Sequence, residues 1–446
     1  MKTFPLVDGP RPDFAIGHLT QFGRDPLAFL ERCAAEHGDF VALRFVNKPV
    51  LLLNHPDLIE TVLGGNLHDF RKTIGYRTPF MRRLFGEGLL TSEGELWMRQ
   101  RRLAQPAFHR DRIAGYGTAI TGFAEALLRE WRLSEQRNVH HDMMRLTTNV
   151  VTKTLFNSPP PPEIDEMGAA SEAVMERFTK QWSLWRFFLA LFPSPSSRRF
   201  DQVMTRLDRF IYGLIRERRA TERDEGDLLS MLLRARDEEG KGMNDHQLRD
   251  ELVTLMVAGL DTTALSLSWA FLLLAQNPAA ETALHAELDN VLGGRPAGFA
   301  DLPRLPYTEA VIRETMRLYP PAWLVGREAV RDCQVGGQTV RAGTSLLMSQ
   351  WLQHREARHF AEPRQFRPER WLGGGLAGLS KYAYFPFGGG PRVCIGSGFA
   401  LLEAGLVLAT VAGRFRLTAP AGYEVKPWPA ITLQPRGGVW LRVEPR

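Results

Sequence analysis

The chain has 446 residues, of which 44% are hydrophobic and 24% are charged. This composition is ordinary for a globular protein, and it excludes a disordered chain, a collagen-like chain and a small disulfide scaffold. The 56 basic residues exceed the 50 acidic ones by only 6, and they form no Lys/Arg block, so the charge gives no reason to expect a nucleic-acid partner.

The three cysteines, Cys33, Cys333 and Cys394, lie far apart and form no C-x-x-C pair. The sequence therefore predicts neither a disulfide framework nor a structural zinc site, which suits a reducing cytoplasm. The segment before Phe14 contains prolines and no apolar run, so we expect neither a signal peptide nor a membrane anchor there.

The first part of the chain is predicted to begin with short strands and to continue as helices. Strand-like apolar runs occupy Phe40–Phe45 and Val50–Leu53. Helical spacing of apolar residues dominates residues 92–280, and Ser92 and Glu95 stand at the spacing of a capping box. The predicted helices here are Pro26–Glu36, Glu93–Ala104, Arg112–Trp131, Asp142–Phe156 and Phe200–Thr221.

A long apolar segment follows in the middle of the chain. From Leu252 to Asn277 the only charged residue is Asp261, and a hydropathy window would flag this segment as a membrane span. We favour a buried helix, because the segment carries five hydroxyl side chains and an acid at mid-span is costly in lipid. Asn244 can cap it, with Gln247 as the capping-box partner. From the cap at Asn244 to Asn277 the helix is roughly 50 Å long. Because it is apolar, other helices must pack around it.

The last part of the chain mixes helices with short β-runs. Helices are predicted at Ala279–Leu292, Thr308–Leu318 and Ile395–Ala412, and β-runs at Arg327–Leu352, Ile431–Leu433 and Val439–Val443. No repeat or linker divides the chain. We therefore predict a mainly α fold with minor β in a single domain over 1–446, with β-rich portions near 40–55 and 327–352 and helical portions at 92–320 and 395–412.

One cysteine stands in a setting that suits a metal ligand. Cys394 immediately precedes an apolar helix, where free backbone N–H groups and the helix dipole favour the thiolate over the thiol. Glycines at 388, 389, 390 and 396 let the backbone approach something flat and bulky. Arg392 can pair with a carboxylate, and Phe387 can shield the sulfur from water. A cysteine that binds haem iron needs these features.

The alternative is a buried, inert cysteine beside a glycine turn, which is the usual state of a lone cysteine. The pattern F-x-x-G-x-R-x-C-x-G from Phe387 to Gly396 fixes five positions, however, and chance matches to it are rare. This segment resembles the haem-binding loop of the cytochrome P-450 haem-thiolate monooxygenases. The resemblance implies a triangular, helix-rich fold with a long helix crossing the haem. It also implies haem b as cofactor, with Cys394 as its thiolate ligand and Phe387, Gly388 and Gly396 beside it.

Three further motifs occur in the family's order. Glu314-Thr-Met-Arg317 resembles its E-x-x-R motif, and Arg370 resembles the arginine that joins it, which implies a buried structural triad. Without the resemblance, a Glu–Arg pair three residues apart is a generic helix pair. The triad would pin the loop that carries the thiolate.

The second motif, Ala258-Gly259-Leu-Asp261-Thr262-Thr263, lies in the central helix and resembles the family's oxygen-activation motif. It implies that Gly259 leaves room for dioxygen, that Thr262 holds a hydrogen-bonded water, and that Asp261 relays protons. The alternative is a threonine that bonds back to the preceding turn and bends the helix.

The third motif is Trp97-Met-Arg-Gln-Arg101. Trp97 and Arg101 share one helix face at a spacing of i, i+4, and by resemblance both contact a haem propionate. The resemblance makes Arg327 a third propionate partner. Ordinary packing of the tryptophan with a solvated arginine is the alternative.

The resemblance also places apolar segments around a substrate pocket, for which we predict the residues Leu89, Leu90, Leu324, Val325, Ile431 and Thr432. A long apolar substrate is expected, such as a fatty acid, a terpenoid or a carotenoid. The aromatic run 182–192 could touch a membrane surface to collect it, although simple packing explains the run equally well.

The remaining expectations concern partners. About fifty residues follow Cys394, so we expect no fused reductase, and electrons would come from a separate ferredoxin or flavodoxin with its NAD(P)H reductase. The arginines at positions 99, 102, 110 and 112 could form a basic docking face for it. We expect a cytoplasmic monomer. One alternative is a peroxygenase driven by hydrogen peroxide, although such proteins typically lack the acid–threonine pair that stands here as Asp261 and Thr262. The other is a non-catalytic haem carrier or sensor, which would not need that pair.

Overall fold

The computed structural model describes residues 8–65, 68–158, 195–221, 223–375 and 377–446. The prolines at 159–162 and the aromatic run 182–192 lie outside these ranges. The described α-helices are α1 (Leu19–Arg24), α2 (Pro26–His37), α3 (Pro56–Leu63), α4 (Pro79–Phe85), α5 (Gly94–Ala104), α6 (Arg110–Ala114), α7 (Gly117–Leu128), α8 (Val139–Phe156), α9 (Pro195–Thr221), α10 (Leu228–Arg234), α11 (Asp245–Gln276), α12 (Pro278–Leu292), α13 (Pro306–Leu318), α14 (Gln350–Gln353) and α15 (Ser397–Ala412).

The described strands are short and form four sheets. They are β1 (Phe40–Phe45), β2 (Lys48–Leu53), β3 (Phe70–Lys72), β4 (Gln136–Asn138), β5 (Val325–Ala329), β6 (Cys333–Val335), β7 (Gln338–Val340), β8 (Ser345–Met348), β9 (Phe415–Thr418), β10 (Pro427–Pro429), β11 (Leu433–Pro435) and β12 (Trp440–Pro445). The largest sheet has the order β1-β2-β8-β5-β3, in which β2 and β8 run parallel. The predicted fold class, mainly α with minor β, is confirmed.

Helix α11 is the axis of the helical part. Asn244 caps its first turn by accepting a hydrogen bond from the Gln247 N–H at 2.8 Å, as predicted. The predicted return bond of a capping box is wrong, because the Gln247 carboxamide oxygen accepts from Arg99 instead. Among the described residues α11 is the one helix long and apolar enough to cross a membrane, but most of it is buried inside the protein. Helices α8, α13 and α15 pack around it.

Some of the predicted element ends and caps differ from the structure. The predicted helix Arg112–Trp131 is two helices, since the chain breaks at Gly115 and Tyr116 between α6 and α7. The capping box at Ser92 is wrong as well. The cap of α5 is Glu93, whose carboxylate is used elsewhere and makes no cap hydrogen bond. The predicted run Ile431–Leu433 also begins later, at Leu433.

Candidate active site

The loop before α15 fixes the position of Cys394. The Cys394 N–H donates to the Phe387 carbonyl at 3.0 Å, which folds the loop back on itself. Gly390 has a φ of +66°, and a Cβ there would lie 1.7 Å from the Leu63 carbonyl oxygen. A Cβ on Gly389 would meet the ring of Tyr382. These two glycines are therefore required by close protein packing, not by approach to a cofactor as we had expected.

The Cys394 side chain opens onto a cavity of about 390 Å³. Desolvation raises the pKa of this thiol, and a backbone hydrogen bond at Gly396 and the charge of Arg101 oppose the rise. Burial therefore works against the preference for the thiolate that is predicted for this helix terminus. A cationic metal centre would supply the missing stabilisation of the thiolate.

Apolar side chains form most of the cavity wall, and most of the predicted site residues contribute to it. Those that line the cavity are Leu89, Leu90, Trp97, Arg101, Ala258, Gly259, Thr262, Val325, Arg327, Phe387, Gly388, Arg392, Cys394 and Gly396. The structure therefore brings residues from five separated segments of the sequence to one space.

Four of the predicted site residues do not line it. Leu324 packs against the cluster around Trp323 and Trp351, and Ile431 packs against the cluster around α9 and α10. Thr432 and Asp261 are buried behind the wall, where they bond to each other. The structure thus does not place the predicted pocket residues Leu324, Ile431 and Thr432 in the cavity wall. Thr432, in the β10–β11 hairpin, instead faces Asp261 on α11, the predicted proton relay.

One side of the cavity carries several buried cations. Arg327 on β5 stands directly opposite Lys72 on β3 in the antiparallel ladder, although like charges at such positions repel. The guanidinium of Arg392 lies 4.3 Å from the centre of the Trp97 ring and pairs with Glu93. Burial lowers the pKa of Arg392 to about 10 and the pKa of Lys72 well below its usual value. We call Lys72, Trp97, Arg101, Arg327 and Arg392 the cation cradle.

The cation cradle fits a ligand that carries carboxylates. Within the described residues Arg392 Nε is buried and has no hydrogen-bond partner. Glu93 faces Arg327, Arg392 and Lys72, and Glu251 faces Lys72, so the four cations outnumber the two acids. Buried cations are stable when paired with anions. The two propionates of a haem would supply two such anions beside a thiolate ligand, so the residues present fit this group.

The central helix crosses the cavity with its small residues exposed to it. Ala258, Gly259 and Thr262 line the space. A Cβ on Gly259 would meet only a methyl group of Val151, at 3.1 Å. The Thr262 hydroxyl donates to the Ala258 carbonyl at 2.8 Å, which is the helix-bonded arrangement that we had weighed as the alternative. The hydroxyl oxygen retains acceptor capacity toward the cavity.

Asp261 faces away from the cavity, toward the β10–β11 hairpin. Its carboxylate accepts from the Thr432 hydroxyl at 2.8 Å and from the Gln434 amide at 3.0 Å. Burial raises the pKa of Asp261, and these two hydrogen bonds oppose the rise. Asp261 thus accepts hydrogen bonds from two identified donors. It directly precedes Thr262 in the helix.

Glu314 is the centre of a buried polar network. Its two oxygens accept from Arg317 at 2.8 Å, from Arg370 at 2.9 Å, and from the Arg367 backbone and the Trp371 ring, both at 2.9 Å. The side chains of Glu314 and Arg317 are completely inaccessible to solvent.

This network reaches the cysteine loop through His354. Arg317 donates to the His354 carbonyl at 2.9 Å, and the His354 ring accepts from the Phe385 N–H at 2.9 Å. Phe385 is two residues before Phe387, whose carbonyl accepts the bond from Cys394. A continuous set of hydrogen bonds therefore joins α13 to the cysteine loop.

Sequence reasoning missed Lys72 and Tyr76, which line the cavity beside the arginines, and Gln434, which holds Asp261. Lysine is scarce in this chain, with eight in total, but no strand is predicted around Lys72, which stands between Arg71 and Thr73, so the sequence gives no clear signal for it. No local pattern marks Gln434, because its contact spans 173 residues.

Comparison with known proteins agrees with this geometry. The family model described as cytochrome P450 matches residues 7–441. Cyclooctatin synthase of Streptomyces melanosporofaciens is 39% identical over 96% of this chain and 94% of its own length. Cyclooctat-9-en-7-ol 5-monooxygenase of the same organism is 39% identical, over 94% and 91%. Pentalenene oxygenase of Streptomyces avermitilis is 32% identical, over 100% and 98%.

The match covers the cysteine loop, the Glu314 network and the central helix, together with nearly all of the remaining chain. The chain belongs to the cytochrome P450 family, whose members are haem-binding oxidoreductases with a cysteine thiolate as the axial ligand.

Proposed function

We propose that this protein is a monooxygenase that hydroxylates a polycyclic or macrocyclic terpenoid. The observation that carries the proposal is the cavity, whose wall is mostly apolar. Apart from the cation cradle, Cys394 and the central helix, its polar side chains are Tyr76, Tyr116, Thr154 and Gln350. Such a wall suits a hydrocarbon skeleton and offers few polar groups to a hydrophilic one. Three relatives are named for cyclooctatin, cyclooctat-9-en-7-ol and pentalenene, which supports a terpenoid over the fatty acid and carotenoid alternatives.

The chain's own residues would hold the cofactor. Cys394 would provide the thiolate, and Arg101 would stabilise it by its charge while donating to the Val393 carbonyl at 2.9 Å. Trp97, Arg327 and Arg392 would bind the propionates. When bound, a haem with thiolate ligation supplies dioxygen activation, with electron donation from the sulfur favouring O–O cleavage.

Asp261 and Thr262 would bind and transfer protons on the side of the cavity opposite Cys394. Gly259 and Ala258 leave the helix surface open to small molecules. Thr262 would accept a hydrogen bond from a water through its free lone pair. Asp261 would pass protons to that site after release from Thr432 or Gln434, and burial raises the pKa of Asp261, which favours proton binding.

The reaction requires a redox partner, and we propose a ferredoxin or flavodoxin with its reductase. The structure alters the expected docking face. The Arg99 guanidinium bonds to Asp237 at 2.6 Å and to Gln247 at 3.1 Å, so it clamps the segment before α11 and is not a free surface cation. Arg102 pairs with Glu238 at the surface. Arg112 is exposed, and it remains the described arginine of the four that best fits the docking role.

A cytoplasmic monomer remains our proposal for the state of the protein. Contact of the run 182–192 with a membrane surface also stays a prediction, since that run lies outside the described residues. Co-sedimentation with liposomes, compared between the wild type and a variant with Phe187 and Phe188 made polar, tests it.

The experiment that tests the function is a spectral screen of cyclic terpenes, fatty acids and carotenoids against the purified haem protein. A substrate should shift the haem from low to high spin. Turnover with NAD(P)H and a surrogate ferredoxin system should then give a hydroxylated terpene. Product formation with hydrogen peroxide alone at an equal rate would favour the peroxygenase alternative, and absence of any turnover would favour the carrier.

A further inference from the structure

The loop of residues 86–91, here called the wall loop, forms part of the cavity surface. Its residues Leu89 and Leu90 line the cavity. The loop contains no helix or strand, so its position depends on how its backbone polar groups are bonded.

Two acids on α11 hold the wall loop from one side. The Glu87 N–H donates to the Asp250 carboxylate at 2.9 Å, and the Leu89 N–H donates to the Glu251 carboxylate at 3.0 Å. Asp250 and Glu251 are 1% and 0% exposed. Acidic side chains are rarely buried to this degree without a hydrogen-bond partner, which makes these two bonds notable.

Other side chains hold the same loop from the opposite side. The Lys72 ammonium donates to the Leu89 carbonyl at 3.0 Å and to the Leu90 carbonyl. The Gln100 amide donates to the Glu87 carbonyl at 2.6 Å. The loop is therefore bonded between α11 on one side and β3 and α5 on the other, with Leu89 held at both its N–H and its carbonyl.

Glycine makes the close approach between α11 and the loop feasible. A Cβ on Gly88 would lie 2.3 Å from the Thr254 hydroxyl and 2.6 Å from the Asp250 carbonyl. A Cβ on Gly86, where φ is +54°, would lie 2.0 Å from the Asp250 carboxylate. A side chain at either position must push the loop and the helix apart.

We propose that Glu251 is a positioning residue that sets substrate selectivity by fixing Leu89 in the cavity wall. The proposal rests on the proposed function, because it concerns the same cavity. Glu251 lies ten residues before Asp261, about 15 Å along the helix, so it does not take part in proton transfer. Among the described residues the Leu89 N–H donates to the Glu251 carboxylate, and Glu251 has Asp250 and Lys72 as its charged neighbours.

The test compares Glu251→Gln with Glu251→Leu. Glutamine keeps a carbonyl oxygen in the place of the acceptor, whereas leucine leaves the Leu89 N–H unsatisfied in a buried position. The readout is the dissociation constant of a size series of N-alkylimidazoles, measured from the absorption shift of the haem, together with the same measurement on cyclic terpenes. Because an imidazole nitrogen binds the iron whatever the natural substrate is, the result does not depend on the terpenoid assignment.

We expect the glutamine variant to stay within about twofold of the wild type, and the leucine variant to weaken the best-fitting imidazole by about tenfold and to change the size preference. Gly88→Ala should change the size preference in the same way, because it displaces the same loop. Glu281→Leu is the matched control, since it removes a buried carboxylate that pairs with Arg416 and does not line the cavity.

All variants must show the thiolate-type spectrum of the carbon monoxide complex before comparison. An unchanged size preference in Glu251→Leu and Gly88→Ala would overturn the proposal, and so would an equal effect of Glu281→Leu. If terpenes fail to bind the wild type while the imidazoles still distinguish the variants, the proposed substrate is wrong. The proposed role of Glu251 is then unaffected.

Discussion

The Thr432 hydroxyl lies 2.8 Å from the Asp261 carboxylate and donates to it, so the acid of the central helix is bonded to a hairpin 171 residues further along the chain. Gln434 donates to the same carboxylate at 3.0 Å and to the Thr432 hydroxyl at 2.9 Å. Thr432 and Gln434 are therefore the residues that control the orientation and the proton affinity of Asp261.

The double variant Thr432→Val/Gln434→Leu should raise the pKa of Asp261 further, because the two hydrogen bonds oppose the effect of burial. We expect the fraction of the consumed electrons that is used to form product to fall. The decrease reaches up to about a hundredfold if proton transfer becomes the limiting step. The ratio of product formed to NAD(P)H consumed measures this. Thr432→Ser keeps the donor and should behave like the wild type, and full coupling in the double variant would rule out the assigned role.

The Glu314 network gives a stability prediction. In Arg370→Met, Glu314 loses one of its two arginine partners while remaining fully buried. We expect a loss of about 3–5 kcal/mol in the free energy of unfolding, since a buried charge is left partly uncompensated. Urea denaturation followed by the carbon monoxide spectrum measures it. Arg364→Met, which removes an exposed pair with Glu31, should cost less than about 1 kcal/mol. Equal losses in the two variants would contradict the account.

Much of this site could be predicted from local patterns, and the failures share a physical origin. The Cys394 loop, the Glu314–Arg317 pair and the cap at Asn244 depend on neighbours within a few residues, and the sequence displays those neighbours. The partners of Asp261 and the ladder that sets Lys72 against Arg327 depend on chain segments that meet only in the folded protein. Burial of the Cys394 thiol, which opposes the thiolate, likewise depends on the whole fold and is not visible in the neighbouring residues.

Glu403 on α15 makes stability depend on pH. Burial raises the pKa of this carboxyl to about 8, and the hydroxyl of Thr263 offsets only part of the rise. Between the ordinary pKa of a glutamate and this raised value, the folded state keeps a proton that the unfolded state releases. The free energy of unfolding of the wild type should therefore fall as the pH rises through this window, by up to about 1.4 kcal/mol per pH unit from this group.

Glu403→Gln should remove that contribution, so the variant should gain stability relative to the wild type as the pH rises from about 5 to 8. Urea denaturation at three pH values in this range measures the difference. Asp301→Asn is the control, because Arg295 lowers the pKa of Asp301 to about 2 and its effect should be constant over the same range. Parallel stability curves for the wild type and Glu403→Gln would show that this carboxyl does not hold its proton.

The cation cradle predicts how firmly the cofactor is held. Arg327→Gln removes a buried cation that stands opposite Lys72, and with it a partner for a propionate. We expect haem transfer to apomyoglobin to become about tenfold faster, which corresponds to the loss of one charged hydrogen bond. Arg331→Gln, at an exposed pair with Asp69, should leave the transfer rate unchanged. A similar rate for wild type and Arg327→Gln would remove Arg327 from the cofactor site.

The central claim is that the sulfur of Cys394 binds the iron of a haem. The most direct measurement is the absorption spectrum of the reduced protein under carbon monoxide, for the wild type and for Cys394→Ser. The account predicts the red-shifted Soret band of a thiolate ligand in the wild type and its loss in the variant. A Soret band typical of histidine ligation in the wild type, or an unchanged spectrum in Cys394→Ser, would contradict it.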